Sequence, residues 1–155
     1  MNYIGIDPGL RSGAWAVIDH HGNYIACGDI PADSKRIDAK EFRQNLQEAT
    51  QNRAGGEICI ELVHTMPGQG IASSGAFMRA AGAIEAVCSL LPDYIVSYTT
   101  PQTWKQYHGL SFNKDQCLIM ARQLFPEAEY MLRRKKDHNR AEALLIADFW
   151  RQSNK

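Results

Sequence analysis

The chain opens with MNYIGIDPGLRSGAWAVID, residues 1–19, in which the apolar residues 3–6 end in a carboxylate, Asp7, followed by Pro8 and Gly9. The apolar run predicts a buried strand, and the Pro-Gly pair directly after it predicts a turn. Since a strand that enters a core usually excludes charge, Asp7 either closes this turn or binds something at the end of the strand. Both interpretations stand until partners for Asp7 are found elsewhere in the chain.

The pattern beyond this segment predicts an α/β fold. Strands are expected over residues 3–7, 14–19, 24–30, 57–62 and 93–99. Helices are expected over about 38–52 and 71–90, from Pro101, over 113–126, and from 137 or 138 onwards. Short turns join the first three strands into an antiparallel meander, whereas the last two strands alternate with helices, as parallel strands do. The order βββαβαβ followed by helices predicts a mixed five-stranded sheet, an antiparallel meander plus parallel strands, flanked by helices.

The composition is that of an ordinary globular protein, with 155 residues, 45% apolar, 22% charged and no formal net charge. This length predicts a single domain over residues 1–155. The four cysteines stand alone without a CxxC pair, which argues against a zinc site or disulfide scaffold and indicates a reducing, cytoplasmic location. We find neither a signal peptide nor an apolar run near 18 residues, so export and a membrane span are not expected.

Charge is distributed unevenly along the chain. The last 55 residues carry 10 of the 17 basic side chains and 6 of the 17 acidic ones. A nucleic-acid-binding face is therefore expected in the C-terminal third.

Three other carboxylates lie at or near the ends of predicted elements, as Asp7 does. Glu61 lies near the end of the fourth strand, and Asp137 and Glu142 lie at the start of the last helix. Each alone has an ordinary explanation, since Glu61 could be exposed at a strand end and Asp137 could be an N-cap. If the first and fourth strands are neighbours, however, Asp7 and Glu61 converge, and clustered carboxylates need a cation. Two Mg²⁺ ions held by such a cluster suit in-line displacement at phosphorus.

Four segments in this order resemble the RuvC-type Holliday junction resolvases, most closely their phage and prophage variants. The segments are IGIDPGLRSGAWAVID, IELVHTMPGQGIASSGAFMRAAG, TPQTWKQYHGL and KKDHNRAEALLIA, and the resemblance spans nearly the whole chain. It implies a ribonuclease H-like fold, a homodimer, dependence on two Mg²⁺ ions (with Mn²⁺ as a substitute) and paired nicking of four-way DNA junctions.

The resemblance also implies catalytic and metal-binding roles. Asp7, Glu61 and Glu142 match the acids of the first strand, fourth strand and last helix. Many relatives place the remaining acid three residues before the last one, where this chain has Asn139. Asp137 reaches the site only if it precedes the helix, whereas His138 shares a helix face with Glu142. We favour Asp137 slightly as the fourth metal ligand and keep His138 as its competitor.

Residues for DNA binding are expected in two places. Gly68, Gln69 and Gly70 precede a helix start that suits a phosphate, with Arg79 further along that helix. Arg133, Arg134, Lys135 and Lys136 form the clearest basic cluster, directly before Asp137, and Lys105 and Lys114 extend it. The alternatives are an ordinary loop and a solvated charged face.

Three other functions compete with a junction endonuclease. The irregular spacing in the last helix allows a non-catalytic nucleic-acid-binding module of the same fold. A nuclease of this fold that acts on RNA or on other branched DNA also fits. A sugar-kinase-like ATPase shares the IGIDPG segment, but the chain is short for two lobes and lacks a second D-x-G phosphate loop.

Overall fold

The computed structural model describes residues 1–51, 55–62, 70–111 and 113–154, without the side chain of Lys114. Its strands are β1 (Asn2–Asp7), β2 (Ala14–Asp19), β3 (Tyr24–Asp29), β4 (Gly56–Glu61) and β5 (Tyr94–Thr99). Its helices are α1 (Ala39–Ala49), α2 (Ile71–Ser89), α3 (Pro101–Tyr107), α4 (Lys114–Leu124) and α5 (His138–Ser153). Two short 3-10 helices, Pro126–Met131 and Lys135–Asp137, lie between α4 and α5.

The strands form one mixed sheet in the order β3-β2-β1-β4-β5. β1, β2 and β3 pair antiparallel, and β4 lies between β1 and β5 and is parallel to both. The predicted meander, the predicted parallel strands and the five-stranded mixed sheet are therefore confirmed.

The core has two parts, one on each face of the sheet. On one face, Tyr3 and Cys59 pack with α5, α4 and Trp104 of α3. On the other, Ile4 and Ile58 pack with α1 and α2. Because side chains alternate along a strand, every second residue of β1 and β4 faces α5. Helix α5 is buried over nearly its whole circumference, including residues 141–149.

Local signals in the sequence fix several helix starts. The carboxylate of Asp38 accepts the backbone N–H of Glu41 at the start of α1, and Asn113 accepts that of Asp115 at the start of α4. At α3, Thr100 caps the helix and Pro101 occupies its first position.

The end of α1 differs from the prediction. The helix ends at Ala49 rather than near residue 52, and no glycine C-cap closes it. Instead the hydroxyl of Thr50 donates to the carbonyl of Leu46, and Gln51 takes the left-handed backbone conformation at φ 53°. The left-handed conformation of Gln51 therefore ends the helix before the glycines at 55 and 56 are reached.

Within the described ranges, no helix is both long and apolar enough to cross a membrane.

Candidate functional site

Sheet register places Asp7 beside Glu61. β1 and β4 are parallel and Ile6 pairs with Ile60, so Asp7 and Glu61 are the next residues of two neighbouring strands. Neighbouring strands lie about 5 Å apart. Both side chains share the alternation of Tyr3 and Cys59 and so face α5. The first condition for a shared site, that β1 and β4 are neighbours, is met.

Glu61 is held by a tryptophan. The indole Nε1 of Trp104 donates to Oε2 of Glu61 at 2.6 Å. Burial raises the pKa of Glu61; the Trp104 hydrogen bond opposes this rise, the charge of Glu142 adds to it, and the Lys105 ammonium opposes it. Lys105, the residue after Trp104, binds Glu142 at 2.8 Å, so consecutive residues of α3 bind these two predicted acids.

Glu142 is buried, with 8% of its surface exposed, and is paired with a cation. The Lys105 ammonium lies 2.8 Å from its Oε1, and the thiol of Cys117 on α4 donates weakly to the same oxygen at 3.7 Å. Burial lowers the pKa of Lys105, but its hydrogen bond and ion pair with Glu142 outweigh this and leave the pKa raised. Lys105 is therefore a charged ammonium within the acidic cluster.

Helix α3 supplies two residues that bind the candidate acids, Trp104 and Lys105. Trp104 lies completely buried in the core, and Lys105 is buried rather than an extension of the basic surface. Both bind acids of the site through α3, which begins directly after β5. The carboxyl ends of parallel strands meet at one edge of a sheet, so the first turns after β5 belong to the same edge as Asp7 and Glu61. That positional signal was present in the sequence.

Asp137 has other partners. Its carboxylate accepts the backbone N–H of Arg134 at 2.8 Å and that residue's guanidinium at 2.7 Å, with Arg140 at 3.8 Å. Burial raises the pKa of Asp137, but the Arg134 hydrogen bonds and the charges of Arg140 and Arg134 leave it lowered. Asp137 is the residue before α5 and makes no side-chain cap. These contacts fix the turn that leads into α5.

His138 has one ring nitrogen engaged and one without a partner in the described part of the chain. Nδ1 lies 3.0 Å from the backbone carbonyl of Lys135, which can only accept, so Nδ1 carries the proton in the neutral ring. Nε2 is buried without a hydrogen-bond partner among the described atoms. This is the tautomer in which a histidine binds a metal through Nε2.

The donor set fits a divalent cation by its chemistry. Carboxylate oxygens are the ligands that Mg²⁺ prefers, and buried, mutually repelling acids gain from a bound cation. In the described ranges, no three His, Cys, Asp or Glu side chains are grouped closely enough to hold an ion as they stand. The positive charge beside Glu142 in this structure is the Lys105 ammonium.

The predicted DNA-binding residues lie in different environments. Arg79, Arg133, Lys135 and Lys136 are exposed, and Gly70 is the exposed N-cap of α2. Arg134 is half exposed while it binds Asp137. Gly68, Gln69 and the Lys114 side chain lie outside the described residues.

The chain is similar in sequence to curated RuvC proteins. The crossover junction endodeoxyribonuclease RuvC of Rhodopseudomonas palustris strain TIE-1 is 28% identical, over 95% of this chain and 84% of that protein. RuvC of Gluconobacter oxydans is 29% identical, over 94% of this chain and 88% of that protein. No family model matches the chain.

The fold is shared with a solved RuvC. The structure of T. thermophilus RuvC in complex with a Holliday junction substrate superposes with a TM-score of 0.70 at 18% identity, covering 99% of this chain and 96% of that one. The predicted ribonuclease H-like fold is therefore confirmed. Along almost its whole length the chain is similar in sequence to RuvC crossover junction endodeoxyribonucleases, as the four motifs predicted.

Proposed function

We propose that the chain is a crossover junction endodeoxyribonuclease that resolves four-way (Holliday) DNA junctions by paired nicking. The observation that carries the proposal is the convergence of acids. Asp7 and Glu61 end neighbouring parallel strands on the face covered by α5, and consecutive residues of α3, Trp104 and Lys105, bind Glu61 and Glu142. Similarity to RuvC proteins over almost the whole chain supports the choice of substrate.

Asp7, Glu61 and Glu142 are the proposed ligands of two Mg²⁺ ions, with His138 or Asp137 as the fourth. When bound, such an ion pair supplies the charge that activates water and stabilises the leaving 3′-oxygen, giving 5′-phosphate and 3′-hydroxyl ends. The Trp104 hydrogen bond holds the partly buried Glu61, and the Lys105 ion pair holds the buried Glu142. The exposed basic residues 133, 135 and 136 bind the phosphate backbone next to α5.

The proposal includes one domain over the chain, a homodimer, and action in the cytoplasm of a bacterium or phage-infected host. Paired nicks require two active sites. Large apolar side chains exposed on α2 and on the α2 face of the edge strand β5 offer a surface for a second copy; they are Ile71, Met78 and Tyr98. Four free, buried cysteines are compatible with a reducing compartment. Sedimentation equilibrium is expected to give a dimer, and Met78→Asp a monomer.

The test is nicking of a synthetic four-way junction in Mg²⁺ and in EDTA. We expect paired nicks only with Mg²⁺, and none from Asp7→Asn. Glu61→Gln is expected to be inactive, whereas Glu57→Gln, on the same strand and also bonded to a tryptophan, is expected to retain activity. Activity of Asp7→Asn equal to that of the wild type would exclude the proposal.

A non-catalytic junction-binding module is the second candidate. The observation that favours it is the ion pair between Lys105 and Glu142, which neutralises one acid of the site. It predicts tight junction binding without cleavage in Mg²⁺ or Mn²⁺. Cleavage of branched DNA or RNA in preference to the junction would instead point to a different substrate for the same site.

A further inference from the structure

Trp104 lies at the centre of the candidate site. It is the residue before Lys105 on α3, is completely buried, and donates its indole N–H to Glu61 at 2.6 Å. A hydrogen bond to a carboxylate of this length is charge-assisted and stronger than a neutral one.

The same indole also contacts Lys105, the ion-pair partner of Glu142. The Lys105 ammonium lies 4.8 Å from the centroid of the Trp104 ring and binds Glu142 at 2.8 Å. Trp104 therefore has a contact to each half of the site. Its indole N–H binds Glu61, and its ring face contacts the Lys105 ammonium, which binds Glu142.

We infer that Trp104 is a positioning residue that orients Glu61 for metal binding, an inference that rests on the proposed function. A carboxylate already fixed by a donor loses little rotational freedom when it binds an ion. Donors that hold metal-binding carboxylates in this way contribute about 10- to 100-fold to metal affinity or activity.

The chain provides a matched control for this role. Trp150 on α5 donates its indole N–H to Glu57 at 2.7 Å. Glu57 lies on the same strand and the same alternation as Glu61, at the opposite end of β4. Trp150→Phe therefore removes the same kind of hydrogen bond away from the candidate site.

The test compares Trp104→Phe with Trp150→Phe by Mn²⁺ binding, measured by electron paramagnetic resonance without DNA. We expect Trp104→Phe to weaken Mn²⁺ binding about tenfold and to raise the Mg²⁺ concentration for half-maximal nicking similarly. Junction affinity in EDTA should stay unchanged because Trp104 has no exposed surface. Trp150→Phe should bind Mn²⁺ like the wild type.

Two results would overturn the inference. One is wild-type Mn²⁺ affinity in Trp104→Phe, and the other is an equal loss in both variants, which would mark a general effect of removing a tryptophan. If the wild type itself neither binds Mn²⁺ nor nicks the junction, the proposed function fails instead.

A second measurement covers the case in which Trp104→Phe does not fold. In the wild type labelled with ¹⁵N-tryptophan, titration with Mg²⁺ should shift the Trp104 indole N–H resonance and leave that of Trp150 in place. The signals are assigned with Trp150→Phe and Trp15→Phe. A Trp104 resonance that does not respond to saturating Mg²⁺ contradicts a positioning role.

Discussion

At the scale of single residues, ionisation of Glu61 in the candidate site lowers the stability of the native state. Burial disfavours the charge of Glu61, and the nearby Glu142 increases that cost. A carboxyl whose pKa is raised by folding binds its proton more tightly in the native state. Ionised Glu61 therefore destabilises the native state, increasingly as pH rises from the ordinary carboxyl pKa through the raised one.

Glu61→Gln is therefore expected to raise the free energy of unfolding at pH 7.5 in EDTA while abolishing nicking. The neutral amide removes the cost of ionisation, and its oxygen can still accept from Trp104. Thermal unfolding with and without Mg²⁺ checks this. Mg²⁺ should raise the melting temperature of the wild type and not that of the variant. A variant less stable than the wild type in EDTA, with Glu57→Gln unchanged, would contradict the prediction.

The two candidates for the fourth ligand are also separated at this scale. Arg134 and Arg140 engage Asp137, whereas Nε2 of His138 has no partner among the described residues. We expect Asp137→Asn to lose about 1–3 kcal/mol of stability at pH 7 and to keep Mn²⁺ affinity. His138→Ala should keep the stability of the wild type and lose Mn²⁺ affinity.

Urea unfolding and Mn²⁺ titration measure both effects. Because folding lowers the pKa of Asp137, its stabilisation is complete above the ordinary carboxyl pKa and is lost as pH falls through the lowered one. The stability difference between Asp137→Asn and the wild type should therefore shrink in acid. Loss of Mn²⁺ binding in Asp137→Asn would instead make Asp137 a ligand.

At the scale of elements, the contact between β1 and α5 sets the position of Glu142. A Cβ on Gly5 would overlap the backbone carbonyl of Ala143 and lie 2.6 Å from the backbone nitrogen of Ala147. Strand and helix therefore meet backbone to backbone, which only glycine allows. Arg140, near the start of α5, binds Asp29 of β3 in a bidentate pair. Its Nε and Nη2 donate to the two carboxylate oxygens at 2.7 and 2.8 Å.

Gly5→Ala is expected to destabilise the protein by about 2–3 kcal/mol, because the added methyl must push α5 away from the sheet. Metal affinity should fall as well, since Glu142 moves with the helix. Gly75→Ala is the control: its Cβ would meet nothing within 4 Å, and it lies inside α2, where alanine is the better helix former. Chemical denaturation and Mn²⁺ titration measure both effects, and equal stability of Gly5→Ala and the wild type would contradict this packing.

At the scale of the whole molecule, the sheet separates two chemically different sides. The α5 side carries the acids of the site and adjoins the exposed basic residues at 133, 135 and 136, whereas α1 and α2 cover the other face. DNA brought to the acids must meet these basic side chains if the proposed function holds.

Lys135→Ala with Lys136→Ala is expected to weaken junction binding at every sequence and to lower its salt dependence, with a slope smaller by about 2. Lys40→Ala with Arg43→Ala, on α1 across the sheet, removes the same charge and should have little effect. Junction binding in Ca²⁺ at several salt concentrations measures both double variants. An unchanged slope for the lysine variant would show that this cluster is a solvated face.

Local signals were sufficient to predict much of the fold. Asp38, Thr100 and Asn113 fix helix starts through contacts within a few residues. The end of α1 could not be predicted as well, because the backbone turns left-handed at Gln51 before the glycines are reached. The pairing of Glu61 with Trp104, 43 residues away, was not expected either, since no local pattern specifies it.

By itself, the sequence determined the types of element, their order, and an acid at the end of β1, at the end of β4 and near the start of α5. These depend on periodicity and on contacts between near neighbours in the chain. Only the tertiary structure decided that Lys105 neutralises Glu142 and that Trp104 holds Glu61. Those pairings depend on which side chains share the small buried space between α3, α5 and the sheet, where every charge must find a partner.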